Sequence, residues 1–278
     1  MPSPGIVLIG FMPEQQAISY LAGTCFTINQ SPAALSAEWR DAKAKIGPPV
    51  ANAGNPSIEP IPAHHQPYMQ QLNALPWCID MIQQGWDFRL VEIDPLLAFQ
   101  SHVDLARSAT HCNAIPKPPS VADLLPICLP LQIEPVPIQW SSYPHSFILK
   151  SRSLNLRMMP PNPQMQPPNF IGIQWAVSLP FVQVVRFDNR CYLSNGYHRA
   201  YGAKEAGATH VPCLFREAQT FEEVGAQDGP AGIPRSVLES ADPPTVSHFS
   251  AARGYSVSLK ATTRIIHVTW SDYAMIDE

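Results

Sequence analysis

The sequence predicts an α+β protein. A mainly helical N-terminal domain covers residues 1–125, a small mixed α/β domain covers 126–223, and a connector with a terminal β-hairpin covers 224–278 and packs back. Three observations predict it. Before residue 113, apolar residues recur at helical spacing in separate blocks. From Phe181 to Phe215 the chain reads as hairpin, glycine turn, helix and strand in that order. From Ser256 to Met275 it alternates, with high β-propensity.

In the N-terminal half, Pro13 to Gly23 carries Ala17, Ile18 and Leu21 on one helical face and stops at glycine. Ser31 suits the N-cap and Pro32 the first turn of a helix holding Leu35, Trp39, Ala42 and Ile46, which Gly47-Pro48-Pro49 ends. Residues 48–63 contain five prolines and read as a loop. A second helical block spans Ala63 to Gln84, interrupted near Pro76, with Met69, Leu72, Leu75, Ile79 and Ile82 as its buried stripe. His64 and His65 are adjacent, about 100° apart on a helix, and so make poor co-ligands for one metal. Phe88 to Ile93 alternates as a strand or extended arm, and Asp94-Pro95 resembles the start of a helix reaching about Arg107. Glu92, Asp94, His102 and Asp104 read as helix caps and water-facing groups. His111-Cys112 has no second thiolate at a metal-binding spacing and no assignable orienting partner.

Prolines crowd residues 113–144 and place the domain boundary there, around a short helix at Val121 to Leu125. Leu129 to Pro135 reads as the opening strand of the second domain. Phe147 to Lys150 is a strand ending in the basic, hydroxyl-bearing run Lys150-Ser151-Arg152-Ser153. Pro160 to Pro168 reads as a flap or insertion, and Phe170 to Leu179 as a short helix or bend.

The stretch Phe181–Phe215 is the one complete device. A β-rich run meets the turn residues Asp188-Asn189-Arg190, and Cys191-Tyr192-Leu193 forms the return strand. Gly196 permits a sharp reversal at positive φ, Tyr197 to Ala206 suits a helix, and Gly207 sits at its C′ position. Val211 to Phe215 is again a strand, with Pro212 near its start or on an edge. His198 and Arg199 fall on the first helical turn, where unpaired amides and the helix dipole attract anions. The pattern reads either as a phosphate cradle or as a turn with solvated basic side chains.

The run Leu193-Ser194-Asn195-Gly196-Tyr197-His198-Arg199-Ala200, then Ala206-Gly207, then Val211-Pro212, resembles the core of the ParB/sulfiredoxin-like superfamily. That resemblance implies a nucleotide partner, ATP or CTP with Mg²⁺, at Asn195, Gly196, Tyr197, His198 and Arg199, with Lys150, Ser151 and Arg152 also holding phosphates. It implies either phosphoryl transfer or NTP hydrolysis, in which His198 and Arg199 act on the phosphate and Glu134 serves as general base. Tyr197 stands where sulfiredoxins carry their catalytic cysteine, so sulfinic-acid reduction is not expected. Asn195 stands where the free-serine-kinase branch carries Asp. These departures keep a second reading open, a non-catalytic interaction or ligand-sensing protein that uses this core as scaffold. Its N-terminal helical domain would then face a protein partner.

The composition narrows the classes. Net charge is −4 and the pI about 6.1, which disfavours nucleic acid and leaves a DNA-binding regulator or nuclease last. The apolar run Ile6 to Phe11 is too short to span a membrane and lacks the flanks of a signal peptide. Six dispersed cysteines without a Cys-x-x-Cys pair read as buried free thiols in a reducing cytoplasm.

Overall fold

The computed structural model describes residues 2–27, 30–113, 115–132, 137–151, 156–159, 174–177, 180–226 and 232–271. In chain order the regular elements begin with β1 (Ser3–Val7), α1 (Glu14–Thr24), β2 (Cys25–Phe26), α2 (Pro32–Ala44) and β3 (Ile58–Pro60). Next come α3 (Gln66–Asn73), α4 (Pro76–Gln83), β4 (Asp87–Glu92), β5 (His102–Asp104), α5 (Leu105–Cys112) and α6 (Val121–Cys128). The middle of the chain supplies β6 (Gln139–Tyr143), β7 (Ser146–Ser151), β8 (Leu156–Met159) and β9 (Gln174–Val177). The remainder forms β10 (Gln183–Phe187), β11 (Arg190–Asn195), α7 (Tyr197–Glu205), β12 (His210–Glu217), α8 (Arg235–Leu238), β13 (Tyr255–Leu259) and β14 (Arg264–Thr269).

The chain divides into two compact units, one of residues 1–131 with 180–260, the other of 132–179 with 261–278. These boundaries differ from those expected at residues 125 and 223. The cause is strand pairing: β12, in the device, pairs antiparallel with β4 from the N-terminal half, Val211 opposite Val91 and Leu214 opposite Phe88. Residues 1–125 are therefore not a separate helical domain, and the fold is mixed α/β throughout the larger unit.

The larger unit holds two sheets. One has the order β11-β10-β12-β4-β3 and the other β2-β13-β1-β5. In the first, β10 and β11 form the expected hairpin, and Asp188 and Asn189 both take positive φ in its two-residue turn. α7 then carries the chain back so that β12 lies parallel to β10. Pro212 sits inside this central strand without a broken bond. The amide of Leu214 donates to the Val182 carbonyl, 3.0 Å away, so two residues earlier the missing N–H points beyond the start of β10.

α1 and α2 form where expected, and the Ser31 side chain accepts from the Ala34 amide at 3.3 Å as the N-cap. The block 63–84 breaks at Pro76 into α3 and α4, with Met69 and Leu72 buried, whereas Ile79 and Ile82 are exposed. No helix starts at Asp94-Pro95. The Leu97 amide donates to Cys191 and the Leu97 carbonyl accepts from Leu193, while Ala98 donates to Pro244 and Leu96 accepts from Val246. Four tertiary hydrogen bonds hold residues 96–98 extended, and the helix begins later, as α5.

The expected terminal hairpin is also absent, because β13 pairs with β1 and β2 in the larger unit while β14 pairs with β7 in the smaller one. Leu129 to Gln132 form no strand, and Pro160–Pro168 lies outside the described residues. Residues 174–177 are a strand rather than a helix or bend. All six cysteines are free and buried.

Candidate functional site

The candidate site is built where α7 starts. Gly196 takes φ 87°, and the amides of Arg199 and Ala200 both bond to its carbonyl, so the helix opens on a tight turn. The Gly196 amide donates within the turn, to the Asn195 side-chain oxygen at 2.8 Å. A Cβ on Gly196 would lie 2.7 Å from Val182 Cα and 2.9 Å from Val182 Cγ2. The chain's own backbone thus occupies the side of the glycine that sequence reasoning reserved for a phosphate. Tyr197 is buried, and its hydroxyl accepts from the amides of Phe99 at 3.0 Å and Gln100 at 3.3 Å. Asn195, Gly196 and Tyr197 therefore secure the turn.

α5 crosses α7 closely. A Cβ on Gly202 would stand 2.7 Å from Cys112 Cβ and 2.9 Å from Ser108 Oγ, and Ser108 Oγ donates to the His198 carbonyl at 2.7 Å. Since Ser108 and Cys112 face α7, their neighbours Arg107 and His111, one turn apart on α5, flank its first turn. The electrostatics tie the four basic groups together. Burial pushes the His198 imidazole down to about 3, helped by Arg107, His102 and His111, with only Asp104 opposing. Burial likewise lowers His111 to about 4, followed by Arg199 and Arg107. Both imidazoles are neutral at pH 7 and sit beside two guanidiniums. His198 Nε2 is shut off from solvent with no hydrogen-bond partner among the described residues.

Asp104 is the acid that bears on His198, and it is engaged elsewhere. Its carboxylate accepts from the Arg107 amide at 3.0 Å as the N-cap of α5 and from Ser3 Oγ at 2.5 Å. Burial raises its pKa, but the Ser3 and Arg107 hydrogen bonds and the nearby His198 outweigh that and leave it lowered. His102 pairs with the Tyr20 hydroxyl at 2.7 Å, Glu92 accepts from the Ser57 amide and Asp94 pairs with Lys204 at 2.5 Å. Of these four polar residues, Asp104 caps a helix and Asp94 is exposed, as expected, whereas Glu92 is half-buried on a strand and His102 turns inward.

No family model, no curated protein and no solved structure matches this chain. The ParB/sulfiredoxin-like resemblance thus stands on the motif order alone.

The resemblance also drew Lys150, Ser151, Arg152 and Glu134 into the site. Lys150 and Ser151 belong to the smaller compact unit, where Lys150 is exposed and Ser151 is buried with its hydroxyl donating to the Pro137 carbonyl at 2.9 Å. Arg152 and Glu134 lie outside the described residues. Sequence reasoning missed Arg107 and undervalued His111. Their four-residue spacing puts them on one helical face, but only the packing of α5 against α7 brings that face to His198.

A cleft of about 230 Å³ also runs between these two helices, lined in part by Ser108, Cys112, Asn113, Lys117, Tyr201 and Glu205, and none of the four basic residues lines it. No group of three or more His, Cys, Asp or Glu side chains fit to hold a metal occurs among the described residues.

Proposed function

We propose that the protein binds a nucleotide, ATP or CTP with Mg²⁺, through its phosphates at the junction of α5 and the first turn of α7. One observation carries this reading: Arg107, His111, His198 and Arg199 converge there, and Asp104, the acid that bears on His198, is committed to a helix cap. Arginine offers paired donors to phosphate oxygens, and the opening of a helix adds positive potential. A phosphate oxygen reaching His198 Nε2 would supply the acceptor that this atom lacks. Support for phosphoryl transfer is thinner, since Asp104 is tied up and Glu134 lies outside the described residues.

The test is thermal unfolding with ATP, CTP or GTP plus Mg²⁺. Near a hundredfold excess over Kd, one nucleotide should add about 2.7 kcal/mol, a rise in Tm of roughly 5–10 °C for a unit of this size. Arg107→Gln combined with Arg199→Gln should remove the rise. If no nucleotide raises the Tm, or if the double variant keeps the rise, the reading is wrong. A rise with turnover makes the protein an NTPase or phosphotransferase. A second reading, a ligand-sensing or interaction protein built on this core, is favoured by the packing of Val182 against Gly196, and it predicts binding without turnover.

A further inference from the structure

The smaller unit is a miniature sandwich that closes at one end only. Its three-stranded sheet runs β14-β7-β6, and the register sets Trp140 opposite Leu149 and Ile266 opposite Leu149 from the other side. Directly opposed residues share a face, so Trp140, Leu149, Ile266, Phe147 and Val268 form one apolar layer. On the β8–β9 hairpin, Met158 lies opposite Trp175, and Leu156, two residues before Met158, shares their face. Leu156 is fully buried against Leu149 and Ile266, so this face of the hairpin is turned to the apolar layer of the sheet.

Over β14 and β7 the two layers are therefore sealed. Over β6 they are not. Trp140 and Trp175 belong to the same inner layers, yet remain 70% and 46% exposed. Between them lies a cavity of about 390 Å³ lined by Ile138, Trp140, Phe147, Leu149 and Trp175. Every described lining residue is apolar or aromatic. The size falls within the range of small-molecule pockets and well above the roughly 150 Å³ that suffices for benzene.

We infer that this cavity is a binding site for a small, uncharged, flat molecule of two or three fused or linked aromatic rings. Two indoles and a phenyl group present faces and edges to such a ring system, whereas a charged ligand would find no partner among the described lining groups. An aliphatic chain would fill the volume but forgo the ring contacts. The site is distinct from the proposed nucleotide site, since all its residues belong to the smaller unit.

The probe is N-phenyl-1-naphthylamine, neutral, three-ringed and fluorescent when removed from water, titrated into the full chain. Saturable 1:1 enhancement is expected. Trp140→Ala and Trp175→Ala, at positions already exposed and therefore tolerant of truncation, should each weaken binding about tenfold. Tyr143→Ala and Ile265→Ala, on the opposite face of the same sheet, should leave it unchanged. Sedimentation velocity runs alongside. Enhancement that fails to saturate, or equal losses from both faces, overturns the inference. So does a concentration-dependent dimer that Trp140→Ala dissociates and the probe does not, because a second copy would then be the occupant.

Discussion

Gly196→Ala tests whether the glycine of the site serves the fold or a ligand. At φ 87° an alanine pays the left-handed penalty of about 1–2 kcal/mol. Its Cβ would also meet Val182 Cα at 2.7 Å, Val182 Cγ2 at 2.9 Å and the Phe181 carbonyl oxygen at 3.0 Å. Two of these are backbone atoms, one of them just before β10, and cannot swing aside, so overpacking adds about 1–3 kcal/mol. The sum is about 2–5 kcal/mol. Gly85→Ala isolates the first component, because Gly85 has φ 85° and nothing within 4 Å of a built Cβ. Gly23→Ala removes both, since that position near the end of α1 is open and has no positive φ. The entropy lost by the unfolded chain is common to all three and cancels in the differences. Urea unfolding followed by circular dichroism should rank them with Gly196→Ala below Gly85→Ala by about 1–3 kcal/mol, and Gly23→Ala at or above wild type. If Gly196→Ala matches Gly85→Ala in stability while abolishing the nucleotide shift, Val182 does not occupy the turn. The glycine would then be the ligand's contact, as the sequence alone suggested.

Stability should depend on pH through the buried histidines. His198 and His248 are held neutral, chiefly by burial, at about 3 and about 4, below the ordinary value of about 6.5 in the unfolded chain. Their contribution is complete above pH 6.5 and is lost as pH falls toward those values, because the unfolded state takes up protons first. Between pH 6.5 and 5 the urea-derived stability should fall by up to about 1.4 kcal/mol per pH unit for each histidine, and a flat profile would refute their burial. Tyr197→Phe deprives the Phe99 and Gln100 amides of their acceptor and should cost about 1–3 kcal/mol by urea unfolding. The nucleotide-induced rise in Tm should survive it, as expected of a residue that anchors the turn.

The parts of the fold legible in the sequence are those fixed by local chemistry. Asp188-Asn189, Gly196, Ser31-Pro32 and Pro76 each determine a turn, a cap or a break within a few residues, and each stands where the residues indicate. Choice of partner was not legible. The alternation of residues 255–269 specifies strands but says nothing of which edge each joins, and β13 and β14 join sheets in different units. Asp94-Pro95 carries a helix-start signature worth about a kilocalorie as a cap. Residues 96–98 instead make four backbone hydrogen bonds to strand β11 and to residues 244 and 246, and these outweigh it.

The same division explains the site. The motif around Gly196 is contiguous, so it was legible, but contiguity cannot tell which of its residues are used up by the fold. Asn195 is engaged by its neighbour's amide, Gly196 by Val182 and Tyr197 by Phe99 and Gln100. The setting of His198 and Arg199 depends on Arg107 and His111, about ninety residues away in sequence. Two guanidiniums beside two imidazoles kept neutral serve either the fold alone or a bound anion as well. A bound dianion separates these cases, because it would stabilise the imidazolium form and draw protons onto His198 and His111. Nucleotide binding should then tighten between pH 8 and 6, whereas a site relying on the arginines alone would show no such trend beyond the titration of the phosphate itself.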